Sequence, residues 1–363
     1  MLASRISHFS TSFSTARAAA AASVSGRHIL KSIYAAERPE GMGAIVRRSL
    51  NSREMRNHDP FLLLDEFWVN SKGGFPDHPH RGFETVTYLL QGQLKHEDFA
   101  GHKGTIGPGD LQWMTAGRGI VHCEMPVLEE DTSSNGGEKE SGSTIAHGIQ
   151  LWVNLSHKDK NCDPQYQDLR DLTVPRAHPA DGIEVKVISG EAHGVKSKVY
   201  TRTPTTYLDY KMEANKSVEI AVPKAYSGFV YVLSGEAYFG GDGAAVTGAQ
   251  GQDRPERDGS KNYVTVNEGP TKPFKGLPHH ALILSQDDGT DTLQVQTKDT
   301  PAHFIVLTGQ PLKEPIFQDR LFVLNSMKEV NETLEDFRQH KNGFENAKDW
   351  KSTIGPKGYR FKF

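Results

Sequence analysis

At 363 residues the chain is long enough for two domains of about 150 residues each. Lys and Arg number 42 against 45 Asp and Glu, and the net charge of −3 supplies no overall field toward nucleic acid or an anionic bilayer. Two cysteines, Cys123 and Cys162, exclude a disulfide-stapled module and fit a reducing compartment, and no apolar run reaches the roughly 18 residues that a membrane span needs. Taken from the N-terminus, residues 1–36 carry Arg5, Arg17, Arg27 and Lys31, eight serines and the run Ala18–Ala22, all before the first acidic residue, Glu37. Such a segment is either an organellar transit sequence or a disordered tail. Both readings place it outside the fold.

From residue 37 the chain reads as short strands punctuated by glycine. Phe75 to Gly82 (FPDHPHRG) holds an H-x-H pair, His78 and His80. Glu84 to Gly92 (ETVTYLLQG) is β-branched and aromatic and stops at a glycine. Gly107-Pro108-Gly109-Asp110 is turn chemistry ahead of the strand-like LQWM, and Gly117 to Pro126 then brings His122, Cys123 and Glu124. Strands recur about every 8 to 12 residues, the spacing of an antiparallel sandwich or barrel, so the expected class is all-β. Residues 129–146 and 240–276 are rich in Gly, Ser, Asp and Lys without apolar periodicity, which predicts inserted surface loops. Near the end, Ser326 with Glu329 forms a capping box, and Val330, Leu334 and Phe337 share one helical face.

The chain also repeats itself. Val86 to Gly92 aligns with Phe229 to Gly235, which lays Tyr88 on Tyr231 and Leu90 on Leu233. Two copies of one barrel account for the length. The expected domains are a first barrel over 37–165, a second over 166–325, and a helical tail over 326–363 packing on both.

In an extended strand His78 and His80 project to one side, as do His122 and Glu124, with Cys123 facing the other way. Three imidazoles and one carboxylate suit Fe, Ni, Cu, Zn or Mn and leave positions open on an octahedral ion. The plainer alternative is a proline-braced turn at His78-Pro79-His80 and a hydrogen-bonded core histidine at 122; the repeated i, i+2 parity favours the metal. Carried back along the repeat, His78 and His80 meet Ala221 and Pro223, whose side chains bind no metal. His279, His280 and His303 lack the i, i+2 spacing. One metal is expected, in the first barrel.

The runs FPDHPHRGFETVTYLLQG and GHKGTIGPGDLQWMTAGRGIVHCEMP, with the later QLWVNL, VYTRTPT, GQPLKEPI and KNGFENAKDWKS, resemble the pirin family from about Ser32 to the C-terminus. The resemblance implies a bicupin, a member of the cupin superfamily with two tandem antiparallel β-barrels and a short C-terminal helix. It implies one divalent transition metal, Fe(II) by preference, in the N-terminal barrel. The family's H-x-H falls on His78 and His80 and its H-x-E on His122 and Glu124. In many other cupins the carboxylate ligand lies four residues after the second histidine; here that is Glu84, which shares the parity of His80 and stands as the substitute.

Two activities follow from the resemblance. One is quercetin 2,3-dioxygenase chemistry, in which O2 opens a flavonol's heterocycle with release of carbon monoxide, and Glu124 serves as both ligand and general base. The other is an iron-dependent, redox-sensing nuclear transcription co-regulator that acts through a transcription factor or signalling partner. A bicupin braced by an inert metal is the third. The dioxygenase is the function expected, with a small aromatic substrate and no direct nucleic acid. Resemblance points to nucleus and cytoplasm, whereas the composition of residues 1–36 points to a mitochondrion or plastid. Phe75, Phe83, Trp113 and Met114 line either a pocket or a core, the core being the commoner fate. Arg118 either orients a substrate anion or, as is more usual, makes a surface salt bridge.

Overall fold

The computed structural model describes residues 26–127, 145–241, 250–251, 261–267, 269, 272–286, 291–359 and 361. Its main strands, in chain order, are β1 (Ile29–Tyr34), β2 (Met42–Leu50), β3 (Phe61–His80), β4 (Phe83–Gln91), β5 (Leu94–Asp98), β6 (Leu111–Thr115) and β7 (Ile120–Pro126). They continue with β8 (Ala146–Asn154), β9 (Gln165–Leu169), β10 (Ile183–Ser189), β11 (Thr205–Met212), β12 (Ser227–Gly235), β13 (His280–Leu284) and β14 (Ala302–Gly309). All of these pair antiparallel in curled sheets. In the first barrel neighbours follow β2-β3-β8-β4-β6-β9. In the second they follow β10-β11-β14-β12-β13-β1.

The two orders correspond strand for strand, so the repeat in the sequence is a repeat of topology. Strands β4 and β12 hold the same central place and carry the aligned tyrosines. Each reaches a buried carboxylate on the other barrel: Tyr88 donates to Asp209 Oδ2 at 2.5 Å, and Tyr231 to Glu66 Oε2 at 2.9 Å. Around them Phe61, Val86, Trp113, Tyr207, Phe229 and Ile305 join both barrels in one apolar core. Inside the second barrel Val185, Leu208, Val230 and Phe304 close the centre. The first barrel has a smaller cluster round Phe67, Val69 and Leu89. Each fully buried side chain of this kind contributes about 1.5–3 kcal/mol.

Three expectations change. Residues 29–34, assigned with the extension, form β1 beside β13 in the second barrel, and Ile29 and Ile33 are fully buried. The acid-poor composition concealed an alternation that seats these two isoleucines in the cores; residues 1–25 lie outside the described residues. The segment 240–276 was expected as loop, yet Tyr263–Val266 pairs with β1 and Phe274–Gly276 with Ala237–Phe239. Its short YVTV and FKG strands were diluted by the polar residues around them. Most of the other expected loop, residues 128–144, lies outside the described residues, while Ala146 already begins β8. Residues 29–34 therefore belong to the second barrel's sheet rather than to an extension.

The helix α1 (Met327–Gln339) stands as its capping box required. Ser326 Oγ accepts from the Glu329 N–H at 3.2 Å, and the Glu329 carboxylate accepts from the Asn325 N–H at 3.0 Å. Val330, Leu334 and Phe337 pack with Phe322 and Phe344 against Val121, directly behind the ligand strand β7.

Candidate metal centre

Strand β3 is 20 residues long and serves two neighbours. Its first half lies between β2 and β8, and its last residues pair with β7, His78 opposite His122 and His80 opposite Ile120. Directly opposed residues of an antiparallel pair share a face, so the pairing sets His78 and His122 side by side. A shift of register between Phe75 and His78 re-aims the last turn of the strand. The ring nitrogens of His78, His80 and His122 lie within 4.8 Å of one another, with the Nε2 atoms of His78 and His122 at 2.9 Å. Among the described residues this is the one group of three such donors.

Protonation follows from the surroundings. Burial lowers the His78 imidazole to about 4 against weaker opposition from the Pro76 carbonyl and Asp77. Burial, and then the neighbouring histidines, hold His80 and His122 well below their ordinary value. His78 Nδ1 donates to the Pro76 carbonyl at 2.7 Å, so its Nε2 carries a bare lone pair. Three uncharged rings thus bring nitrogens to one point. One divalent ion satisfies that arrangement, and the carbonyl that fixes the His78 tautomer is the outer partner such ligands need. The residues present fit the metal.

Glu124 lies next to them, its Oε2 4.0 Å from His122 Nε2 and its Oε1 accepting from the Thr87 hydroxyl at 3.0 Å. Burial pushes this carboxyl up to about 7, with Thr87 opposing. Glu84, the substitute, points elsewhere. It accepts from Thr115 Oγ1 at 2.7 Å, and the charges that act on it are those of Arg202 and Asp159. On β4, Thr87 faces Glu124, so Glu84, three residues away, faces the opposite side with Val86 and Tyr88. Counting parity from His80 fails because Gly82, at φ +90°, turns the chain between the two strands.

His78, His80 and Glu124 open onto a cavity of about 890 Å3, walled by Phe75, Gln150 and Trp152. Phe83 is buried and meets the His80 ring edge-on at 5.1 Å, while Trp152 stands 5.4 Å from the same ring. Trp113 and Met114 are core residues away from the cavity. Arg118 pairs with Asp163 at 3.0 Å on an open surface. Across the cavity Arg48 grips Asp65 through two bonds of 2.8 and 2.6 Å. Thr87, Gln150, Trp152 and Arg48 went unremarked in the sequence. Parity along ETVTYLL identifies Thr87 once Glu124 is placed, whereas nothing in the sequence joins Arg48 to Asp65.

Comparison with known proteins accords with this architecture. The family model described as Pirin matches residues 43–153, and that described as Pirin C-terminal cupin domain matches residues 207–343. The chain is 46% identical to Pirin of Homo sapiens over 91% of its own length and 99% of that protein. It is 42% identical to a pirin-like protein of Solanum lycopersicum, over 90% and 96% respectively. Among solved structures it is similar to a quercetin 2,3-dioxygenase from Acinetobacter baumannii, with a TM-score of 0.70 and 29% identity, covering 88% of this chain and 99% of that one.

Proposed function

The chain belongs to the pirin family, and on that premise we propose that it is a metal-dependent dioxygenase opening flavonols such as quercetin at a single iron, Fe(II), held by His78, His80, His122 and Glu124. The observation that carries this reading is the cluster of three neutral imidazoles with a carboxylate beside it, of which His78, His80 and Glu124 open on a cavity large enough for a flavonol. The similar Acinetobacter protein, named for that reaction, supports the substrate class. When bound, iron would supply Lewis acidity toward the flavonol oxygens and redox capacity toward O2.

The remaining work falls to the chain. Phe75 and Trp152 offer flat apolar faces to the ring system. The Thr87 hydroxyl fixes Glu124 Oε1, leaving Oε2 to take the flavonol hydroxyl proton. Phe83, buried behind the site, packs edge-on against His80 and holds that ring in place.

The test is anaerobic purification, metal quantification and a flavonol absorbance assay on the same sample. Turnover should follow iron content, and Glu124→Gln should abolish turnover while retaining much of the metal. Iron-loaded protein that leaves flavonols untouched overturns the reading. Capture of a protein partner by the ferric form alone would then favour the co-regulator.

A further inference from the structure

The end of the chain returns to the mouth of this cavity. The Ser352 N–H donates to Asp77 Oδ2 at 3.3 Å and its hydroxyl to Oδ1 of the same carboxylate, one residue ahead of His78. Thr353 donates through its N–H and its hydroxyl to Glu97, each at 2.6 Å. A side chain at Gly355 would meet Ser352 Oγ at 2.5 Å and Cys123 Sγ at 3.3 Å. The tail is therefore seated on the outer face of β7, behind His122 and Glu124. A turn follows, in which the Tyr359 N–H donates to the Pro356 carbonyl at 3.1 Å. Its third residue, Gly358, sits at φ +78°, a conformation that favours glycine. The turn brings Tyr359 and Phe361 into the cavity lining beside Phe75 and Pro76, and Phe361 also lies 6.5 Å from the Phe337 ring on α1.

We propose that Tyr359 and Phe361 are specificity-determining residues, forming an outer aromatic wall that admits flat ring systems to the histidines and excludes bulkier ones. The two rings line the same cavity as Phe75, Trp152 and the metal-facing His78 and His80, so a planar aromatic guest can lie along them on its way to the histidines while a branched one meets the wall. The tail is anchored by Asp77 and Glu97, which are not among the donors directed at the ion, so the wall can be changed without touching that set. The selectivity for flavonols rests on the dioxygenase reading; the steric wall does not.

The experiment uses the full-length protein loaded with Fe(II) under nitrogen, beside a Tyr359→Ala/Phe361→Ala double variant. The first readout is the rate at which bathophenanthroline disulfonate, a bulky coloured chelator, removes the iron. The second is the ratio of kcat/KM for a glucosylated flavonol to that for quercetin. The double variant should lose iron at least tenfold faster and raise the ratio about tenfold, with an unchanged Tm. Tyr359→Phe should keep the slow extraction of the wild type, because the ring rather than the hydroxyl forms the wall. A chain ending at Gly355 should behave like the double variant. Equal extraction rates in folded wild-type and double-variant protein overturn the wall. Should none of the proteins turn over a flavonol, the dioxygenase reading fails while the extraction rates still decide the wall. Should quercetin be turned over with both readouts unmoved, the wall alone fails.

Discussion

His78 shows how one backbone carbonyl prepares a ligand. Because its Nδ1 proton is committed to Pro76, the opposite nitrogen is ready for a metal with no reorganisation. Glu124 is the group in the set that still holds a proton below about pH 7. Metal binding should therefore release one proton below that pH and none above it. Apparent affinity should rise about tenfold per pH unit from 5.5 to 7 and then level off; calorimetry in buffers of differing ionisation enthalpy reads the proton count. A flat profile would mean that the carboxylate is not a ligand. Glu84→Gln supplies the control at this scale. Its side chain lies on the far face of β4, so the variant should keep one equivalent of divalent metal, and loss of metal would return Glu84 to the ligand set. The i, i+2 spacing was enough to find the histidines. It could not separate Glu124 from Glu84, because Gly82 resets the alternation and a glycine's dihedrals are not written in its neighbours.

Strand β3 does at the level of an element what no single residue does, carrying the chain from the joint sheet of the barrel to the ligand edge. Its end is fixed by the turn at Gly82, whose carbonyl accepts from the buried Lys160 ammonium at 2.8 Å while Lys160 also holds the Val323 carbonyl at 3.0 Å. A methyl group on Gly82 would lie 2.0 Å from the Val323 carbonyl oxygen, at a positive φ that disfavours any other residue. Gly82→Ala should lose on the order of 3 kcal/mol of stability in a denaturant melt. It should also loosen His80, read as weaker retention of the divalent metal. Strands bounded by glycine and the capped helix were legible because local chemistry sets them. The strands Ile29–Tyr34 and Tyr263–Val266 were not, since the first is a strand by pairing with the second and with β13, contacts more than 200 residues away, and the second pairs with the first alone.

Across the whole molecule the repeated tyrosines tie the barrels together reciprocally. Burial raises the cost of an ionised Glu66, but the hydrogen bonds from His147 and His279 outweigh it and hold the carboxyl below its ordinary range. Asp209 is likewise held down, against burial, by His303 and Tyr88. The unfolded chain therefore takes up protons first, so this stabilisation is complete above the ordinary carboxylate values and drains away as pH falls below them. Tyr88→Phe and Tyr231→Phe should each lower stability by about 1 kcal/mol at neutral pH. The losses should add, because the histidine partners of each carboxylate remain; a double variant as stable as wild type would remove the reciprocal clasp. The repeat was legible as one short motif, yet its use as a cross-barrel joint needed the fold. One more consequence follows from the front of the chain. Arg27 is fully buried and donates to the carbonyls of Ser285, Pro223 and Lys224, with β1 immediately behind it. Any protease that trims a leader from this protein must therefore cut on the near side of Arg27, for severing the chain even ten residues later would unstitch the barrel at the opposite end of the gene.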